Sequence, residues 1–285
     1  MKLTQFLRGG EKRLGILTEK GMVDATAFSN GRLPLAIEDV IGGGETLWNK
    51  LRGLDFRGAQ TVPEREITYL PCVEKPEKII CIGLNYSRHA AEMDLEAPKY
   101  PTLFNKFNSA LSAHKEKIFL PASAEKFDYE AELVIVMGKT ARHVSRENAL
   151  SYVFGYMPGN DLSARDLQFC TKQWMLGKTC DGFGPIGPCI TTADEVGDPQ
   201  SLKIESRVNG ELRQSASTHE MIFDCATIIS YVSQYITLRP ADLIFTGSPS
   251  GVIKGMPKEK QHWLKAGDEV RVTIEKLGSL SNIMA

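Results

Sequence analysis

The chain has 285 residues, 42% of them hydrophobic and 24% charged, a balance that excludes a disordered or fibrous polypeptide and suffices for a buried core. Its 34 basic and 35 acidic side chains leave a formal charge of −1, so no global field draws nucleic acid or an anionic membrane to it. The opening MKLTQFLRGGEKR lacks the apolar run of a signal peptide, and the longest strongly apolar stretch, Leu133 to Met137, is far too short to cross a bilayer. A cytoplasmic protein is expected, its six scattered cysteines reading as reduced and mostly buried thiols without zinc-ligand spacing.

In chain order, LTQFL and LGILT are apolar-rich runs split by Gly9-Gly10, which predicts a hairpin; Lys20-Gly21 then turns the chain into MVDAT. A helical piece from Glu45 to Leu51 follows, and a polar connection with Pro63, Pro71 and Pro76 leads to the apolar run KIICIG. This spacing sets a small N-terminal domain, 1–70, before a larger unit, 71–285. Strands are predicted from Lys78 to Ile82, Leu133 to Met137, Leu202 to Asn209, Leu243 to Thr246 and Glu269 to Ile274. In the last, Val270, Val272 and Ile274 alternate with Glu269, Arg271 and Thr273, so one face is core and the other solvent. Asp224 is a good N-cap for a helix carrying Cys225, Ile228, Ile229, Val232 and Ile236 on one stripe. Strands outnumber helices without regular alternation, which predicts a mixed α+β fold rather than a doubly wound parallel sheet.

Glu130 and Glu132, in DYEAELVIVMG, are two apart at the start of a strand and project from one face. Two carboxylates beside an apolar strand repel and lose hydration, which favours a neutralising cation; oxygen-only ligands suit Mg2+, Mn2+ or Ca2+. A Glu-x-Glu pair alone is more often a wet strand face. Asp161, in GYMPGND, offers a third carboxylate on a turn, or else caps a helix there, with Ser163 competing for that role. Three carboxylates leave coordination positions open for substrate oxygens and water.

His89 and Glu92, three apart in CIGLNYSRHAAEM, are neighbours on a helical turn, and a carboxylate there can orient the ring as a base. His143 and Glu147 are also at helical spacing, so spacing alone does not single out the first pair. Arg165 and Gln168 in DLSARDLQ, with Lys178 in LGKTCDGFGP, suit an anionic ligand, and the loop of Thr246, Gly247, Ser248, Ser250 and Gly251 has amides able to cradle a carboxylate. TGSPSG is equally a good turn by composition. Tyr86 to Tyr100 joins a helical piece to a loop with Pro98 and is expected to form a lid.

From about Pro71 to the C-terminus, KIICIGLNYSRHAAEM, DYEAELVIVMGKTA, FGYMPGNDLSARDLQ, GKTCDGFGPIGP and IFTGSPSGV together resemble the fumarylacetoacetate hydrolase family, in its acylpyruvase and oxaloacetate decarboxylase-like branch. The resemblance implies a mixed β-roll, a small N-terminal domain and a homodimer. It implies metal ligation by Glu130, Glu132 and Asp161, and water activation by His89 with Glu92. Lys178 would face the substrate, with Arg165, Gln168, Thr246, Gly247 and Ser248 contacting it. The sequence departs from the family pattern with Ser248, Ala241 and Lys276 where threonine, glycine and glycine are usual.

The activity so implied is divalent-metal-dependent cleavage of a carbon–carbon bond in a small 2-oxo acid, by acylpyruvate hydrolysis or oxaloacetate decarboxylation, through an enolate on the metal. Alternatives are isomerisation or hydration of an unsaturated 2-oxo dicarboxylate, as in a 2-hydroxyhepta-2,4-diene-1,7-dioate isomerase, and a catalytically silent metal-stabilised binding protein.

Overall fold

The computed structural model describes residues 1–93 and 96–285. The chain opens as an antiparallel meander of β1 (Lys2–Arg8), β2 (Glu11–Thr18) and β3 (Gly21–Asp24). Gly9 and Gly10, at φ of 59° and 83°, make the expected turn in a backbone region that residues with a β-carbon resist. The helix expected next forms as α1 (Gly44–Arg52), which buries Trp48 and Leu51.

Among the described residues ten strands of three or more residues follow: β4 (Ile79–Gly83), β5 (Thr102–Asn105), β6 (Ala131–Met137), β7 (Val153–Asn160), β8 (Ile190–Thr192), β9 (Lys203–Val208), β10 (Glu211–Ser217), β11 (Leu243–Phe245), β12 (Glu269–Ile274) and β13 (Gly278–Met284). The large sheet runs β3-β2-β1-β8-β7-β6-β11-β4-β5. Its contacts are antiparallel except β11 with β4, where Leu243 pairs Ile79. A second sheet runs β10-β9-β12-β13 and ends on the short strand Lys117–Ile118.

Strand β6 is the centre. Leu133 and Ile135 face a core shared with Ile204, Val272 and Ile228, while Val134 and Val136 face a second core with Leu3, Ile16 and Trp48. All seven of its residues are buried, and each large apolar one contributes roughly 1.5–3 kcal/mol. A side chain mounted on this strand is therefore fixed in place. The boundary expected near residue 70 falls ahead of β4, and one sheet runs across it, with Leu3 of β1 paired to Ile190 of β8.

The helices α2 (Ser87–Glu92), α3 (Arg165–Gln168) and α4 (Met175–Lys178) are short, whereas α5 (Cys225–Tyr235) is the long packing helix. Asp224 caps α5, accepting the Thr227 amide at 2.7 Å. Its stripe is shorter than expected: the helix ends at Tyr235, and Ile236 is exposed. His143 and Glu147 do not share a helix, because His143 takes a left-handed backbone (φ 52°) before the helix Arg146–Ala149. In β12 the burial alternates as expected. No disulfide joins the six cysteines, of which Cys170 is exposed and Cys180 half-buried. No helix among the described residues is long and apolar enough to cross a membrane.

Candidate active site

The pairing of β6 with β7 builds the site. Ala131 pairs with Asn160, which sets Asp161, the residue after β7, beside Glu130, the residue before β6; the Asp161 amide donates to the Glu130 carbonyl at 2.9 Å. Glu132 follows on the face of β6 that carries Val134 and Val136. One carboxylate oxygen from each of Glu130, Glu132 and Asp161 lies within 4.8 Å of the others, and all three residues are buried. Asp161 thus stands beside the pair rather than capping a helix. Ser163 is no cap either: it sits in a two-residue strand, and its hydroxyl donates to the Asp161 carbonyl at 3.0 Å.

Three cations surround the acids. Lys178 Nζ donates to Glu130 Oε2 at 2.5 Å and to Asp161 Oδ2 at 2.7 Å. Arg165 donates through Nη2 to Glu130 Oε1 at 2.7 Å, through Nε to Asp128 Oδ2 at 2.9 Å and through Nη1 to Gln168 Oε1 at 2.9 Å. Lys106 is 2.6 Å from Asp161 Oδ1, yet its hydrogen bonds go to the Lys178 and Phe183 carbonyls. Asp161 Oδ1 is buried with the Lys106 ammonium as its ion-pair partner and accepts no well-directed hydrogen bond. Helix α4 reaches the site because Gly177 packs against α3 where a β-carbon would stand 2.3 Å from the Gln168 nitrogen.

Burial raises the carboxyl of Glu132 well above the usual range, and the charges of Asp161 and Glu130 push the same way. Burial acts on Glu130 too, but Lys178 and Arg165 outweigh it and hold that carboxylate below the usual range. Lys178 is opposed by burial and kept protonated by Asp161 and Glu130. Four buried carboxylates, counting Asp128, thus face three cations, and an all-oxygen trio with this excess of acidic groups fits a hard divalent ion.

Helix α2 covers the trio. His89 Nδ1 is 2.7 Å from Glu92 Oε1; a carboxylate only accepts, so Nδ1 carries a proton, which in the neutral ring leaves the lone pair on Nε2. His89 lines a cavity with Glu130, Glu132, Arg165, Gln168, Lys178 and Ser248. The cavity measures about 30 Å3. Of the lid expected from Tyr86 to Tyr100, residues 94 and 95 lie outside the described residues.

The loop after β11 does cradle carboxylates, but they are the protein's own. The Gly247 amide donates to Glu132 Oε2 at 2.7 Å, and the Gly251 amide to Glu92 Oε2 at 2.9 Å. Thr246 turns both its amide and its hydroxyl to the Leu133 carbonyl, at 3.1 and 2.8 Å. Ser248 Oγ accepts from Gln214 at 2.8 Å. Sequence reasoning missed Lys106, for which a lone lysine in FNKFN gave no signal, and Asp128. The second was within reach, because Asp128, Glu130 and Glu132 share one alternation.

A mixed sheet that buries an acidic trio beneath a His–Glu helix defines an enzyme. Comparison with known proteins agrees: residues 78–285 match the model of the fumarylacetoacetate (FAA) hydrolase C-terminal domain. The chain belongs to this family. It is 40% identical over 263 residues to the mitochondrial oxaloacetate tautomerase Fahd2a of Rattus norvegicus, covering 92% of this chain and 83% of that protein. Among solved structures it is similar to a protein from Mycobacterium smegmatis described as an HpcE protein, at 34% identity and TM-score 0.89, over 100% of this chain and 99% of that one. It is also similar to maleylpyruvate hydrolase from Sphingobium sp. SYK-6 in complex with manganese(II) and pyruvate, at 31% identity and TM-score 0.82, with the same coverage.

Proposed function

We propose that the protein interconverts the keto and enol forms of oxaloacetate, or of a closely related small 2-oxo acid, with Mg2+ or Mn2+ held by Glu130, Glu132 and Asp161. The observation that carries this reading is the convergence of three buried carboxylates within 4.8 Å, next to a protonated lysine. The tautomerase relative and the neighbour with manganese and pyruvate support it.

A divalent ion in this trio would supply Lewis-acid polarisation of the 2-oxo group. The chain's own residues do the rest. His89 Nε2 takes a proton from C3, the electron pair moves onto the 2-oxo oxygen, and His89 returns the proton to that oxygen directly or through water, so the reaction balances with no other reactant. Lys178 Nζ stands where charge develops on oxygen, and a fixed ammonium costs no reorganisation when the charge appears. Arg165 is locked by Asp128 and Gln168, so it presents a rigid charge to the substrate carboxylate.

Acylpyruvate hydrolysis is a second reading, favoured by the 2.7 Å contact of His89 with Glu92, which equips the ring to activate water. Decarboxylation of oxaloacetate would release the enolate of pyruvate, as acylpyruvate hydrolysis would. The test follows oxaloacetate enol absorbance and pyruvate release in parallel, with Mg2+ or Mn2+ and after chelation, with acetylpyruvate as a second substrate. Enol loss that depends on metal and releases no pyruvate is expected. Turnover unaffected by chelation would overturn the metal reading, and acetylpyruvate cleavage without enol loss would replace tautomerisation by hydrolysis.

A further inference from the structure

Glu92 does more than contact His89. Its Oε2 accepts the Gly251 amide at 2.9 Å, so the carboxylate bridges α2 to the end of the TGSPSG loop. The bridge rests on Gly255. A β-carbon built on Gly255 would come 2.6 Å from Glu92 Cδ, 2.7 Å from Cγ and 2.8 Å from Oε2. Gly255 ends the 3-10 turn Ile253–Gly255 and does not take a positive φ, so its backbone makes no demand for glycine. Among the described residues, the three heavy atoms nearest to a side chain there all belong to Glu92.

The segment is tied to the acidic trio. The Ile253 and Lys254 amides donate to Asp128 at 2.9 and 3.0 Å, and the Tyr129 hydroxyl donates to the Gly251 carbonyl at 2.9 Å. Asp128 and Tyr129 directly precede Glu130. Glu130 is thus joined through the chain at 128–129, and by buried or part-buried hydrogen bonds of 2.7–3.0 Å, to the segment 251–255, Glu92 and His89.

We propose that Gly255 is a positioning residue: the empty space at its α-carbon is the seat of Glu92, and it sets where the His89 ring stands over the acidic trio when α2 is closed. The proposal rests on the reading of His89 and Glu92 as the acid–base pair. A methyl group at 255 meets first the outer part of the flexible Glu92 side chain, so the fold survives while the pair moves. Misplacing a catalytic group by about 1 Å costs on the order of 100-fold in turnover.

The test is a double-mutant cycle of Gly255→Ala and Glu92→Ala on the full chain, assayed by Mn2+-dependent loss of oxaloacetate enol, with Mn2+ affinity from titration calorimetry. Spectra of 15N-histidine-labelled, metal-free protein provide a readout independent of activity, since the chain has only five histidines. Gly255→Ala should melt near the wild-type temperature and bind Mn2+ as wild type. It should lose roughly 100-fold in kcat with KM little changed, and shift the His89 Nδ1 signal toward that of Glu92→Ala. Within the Glu92→Ala background the second change should cost less than about twofold, because its effect acts through Glu92. Multiplying effects, an unmoved His89 signal, or failure of Gly255→Ala to fold would overturn the seat. Impaired Glu92→Ala beside unimpaired Gly255→Ala would sink the seat alone; unimpaired Glu92→Ala would sink the acid–base reading and the seat with it.

Discussion

Asp128 accepts the Nε–H of Arg165 at 2.9 Å, and neither residue has appreciable contact with solvent. The same carboxylate takes the amides of Tyr129, Ile253 and Lys254, so one side chain fixes both the Arg165 guanidinium and the segment that contacts α2.

Asp128→Ala should therefore act on stability and on turnover together. Leaving Arg165 and three amides without their acceptor should destabilise by about 3–5 kcal/mol. Denaturant melts would show this as a lower midpoint with an unchanged slope, and an unaltered midpoint would contradict the role given to Asp128.

Glu132→Gln removes a negative donor from the trio without changing its shape. Mn2+ affinity should weaken by at least the roughly 10–100-fold that supporting partners of a metal site carry, and activity should fall with it. Calorimetric titration of wild type and variant decides the matter; equal affinities would take Glu132 out of the site.

Because burial and its acidic neighbours hold the Glu132 carboxyl above its usual range, that group keeps a proton at pH values where an ordinary glutamate has lost it. A cation has to displace the proton. Mn2+ affinity should rise with pH above the ordinary carboxylate range and level off once Glu132 ionises, with proton release on binding. Titrations in buffers of different ionisation enthalpy would measure the released protons, and their absence would refute the raised pKa.

His89→Ala should leave Mn2+ binding intact, since His89 is not among the three clustered ligands. Turnover of acetylpyruvate and of oxaloacetate enol should drop by about 10²–10⁴-fold, the usual worth of a positioned general base. Decarboxylation of oxaloacetate, which needs no proton abstraction from carbon, should fall less. Equal losses in all three would mean that the ring serves only to hold the lid.

His114 lies away from the site. Burial, aided by Lys115, lowers its pKa from 6.5 to about 4, and its Nδ1 accepts the Ser281 amide at 3.1 Å, which only the neutral ring can do. The unfolded chain therefore binds the proton first, and stability should be full above about pH 6.5 and decline as pH falls toward 4. His114→Gln should flatten that part of the melting profile. A profile as steep as the wild type's would assign the decline to other groups.

The sequence by itself determined the alternation that mounts Glu130 and Glu132 on one face of β6, the Gly9-Gly10 hairpin, the Asp224 cap and the one-faced β12, because each depends on neighbours a few residues apart. Resemblance carried over long motifs pointed to the family and to Asp161, His89 and Lys178. Tertiary structure alone decided the rest. Asp161 joins the pair only because β7 pairs with β6, and Lys106, a lysine with no local signal, is buried only where the carbonyls of Lys178 and Phe183 receive it. The TGSPSG loop had amides suited to a carboxylate, but chain spacing could not tell that Glu132 and Glu92 would reach them first. Periodicity records which face a side chain takes; which distant group it meets is set by sheet pairing and packing across dozens of residues.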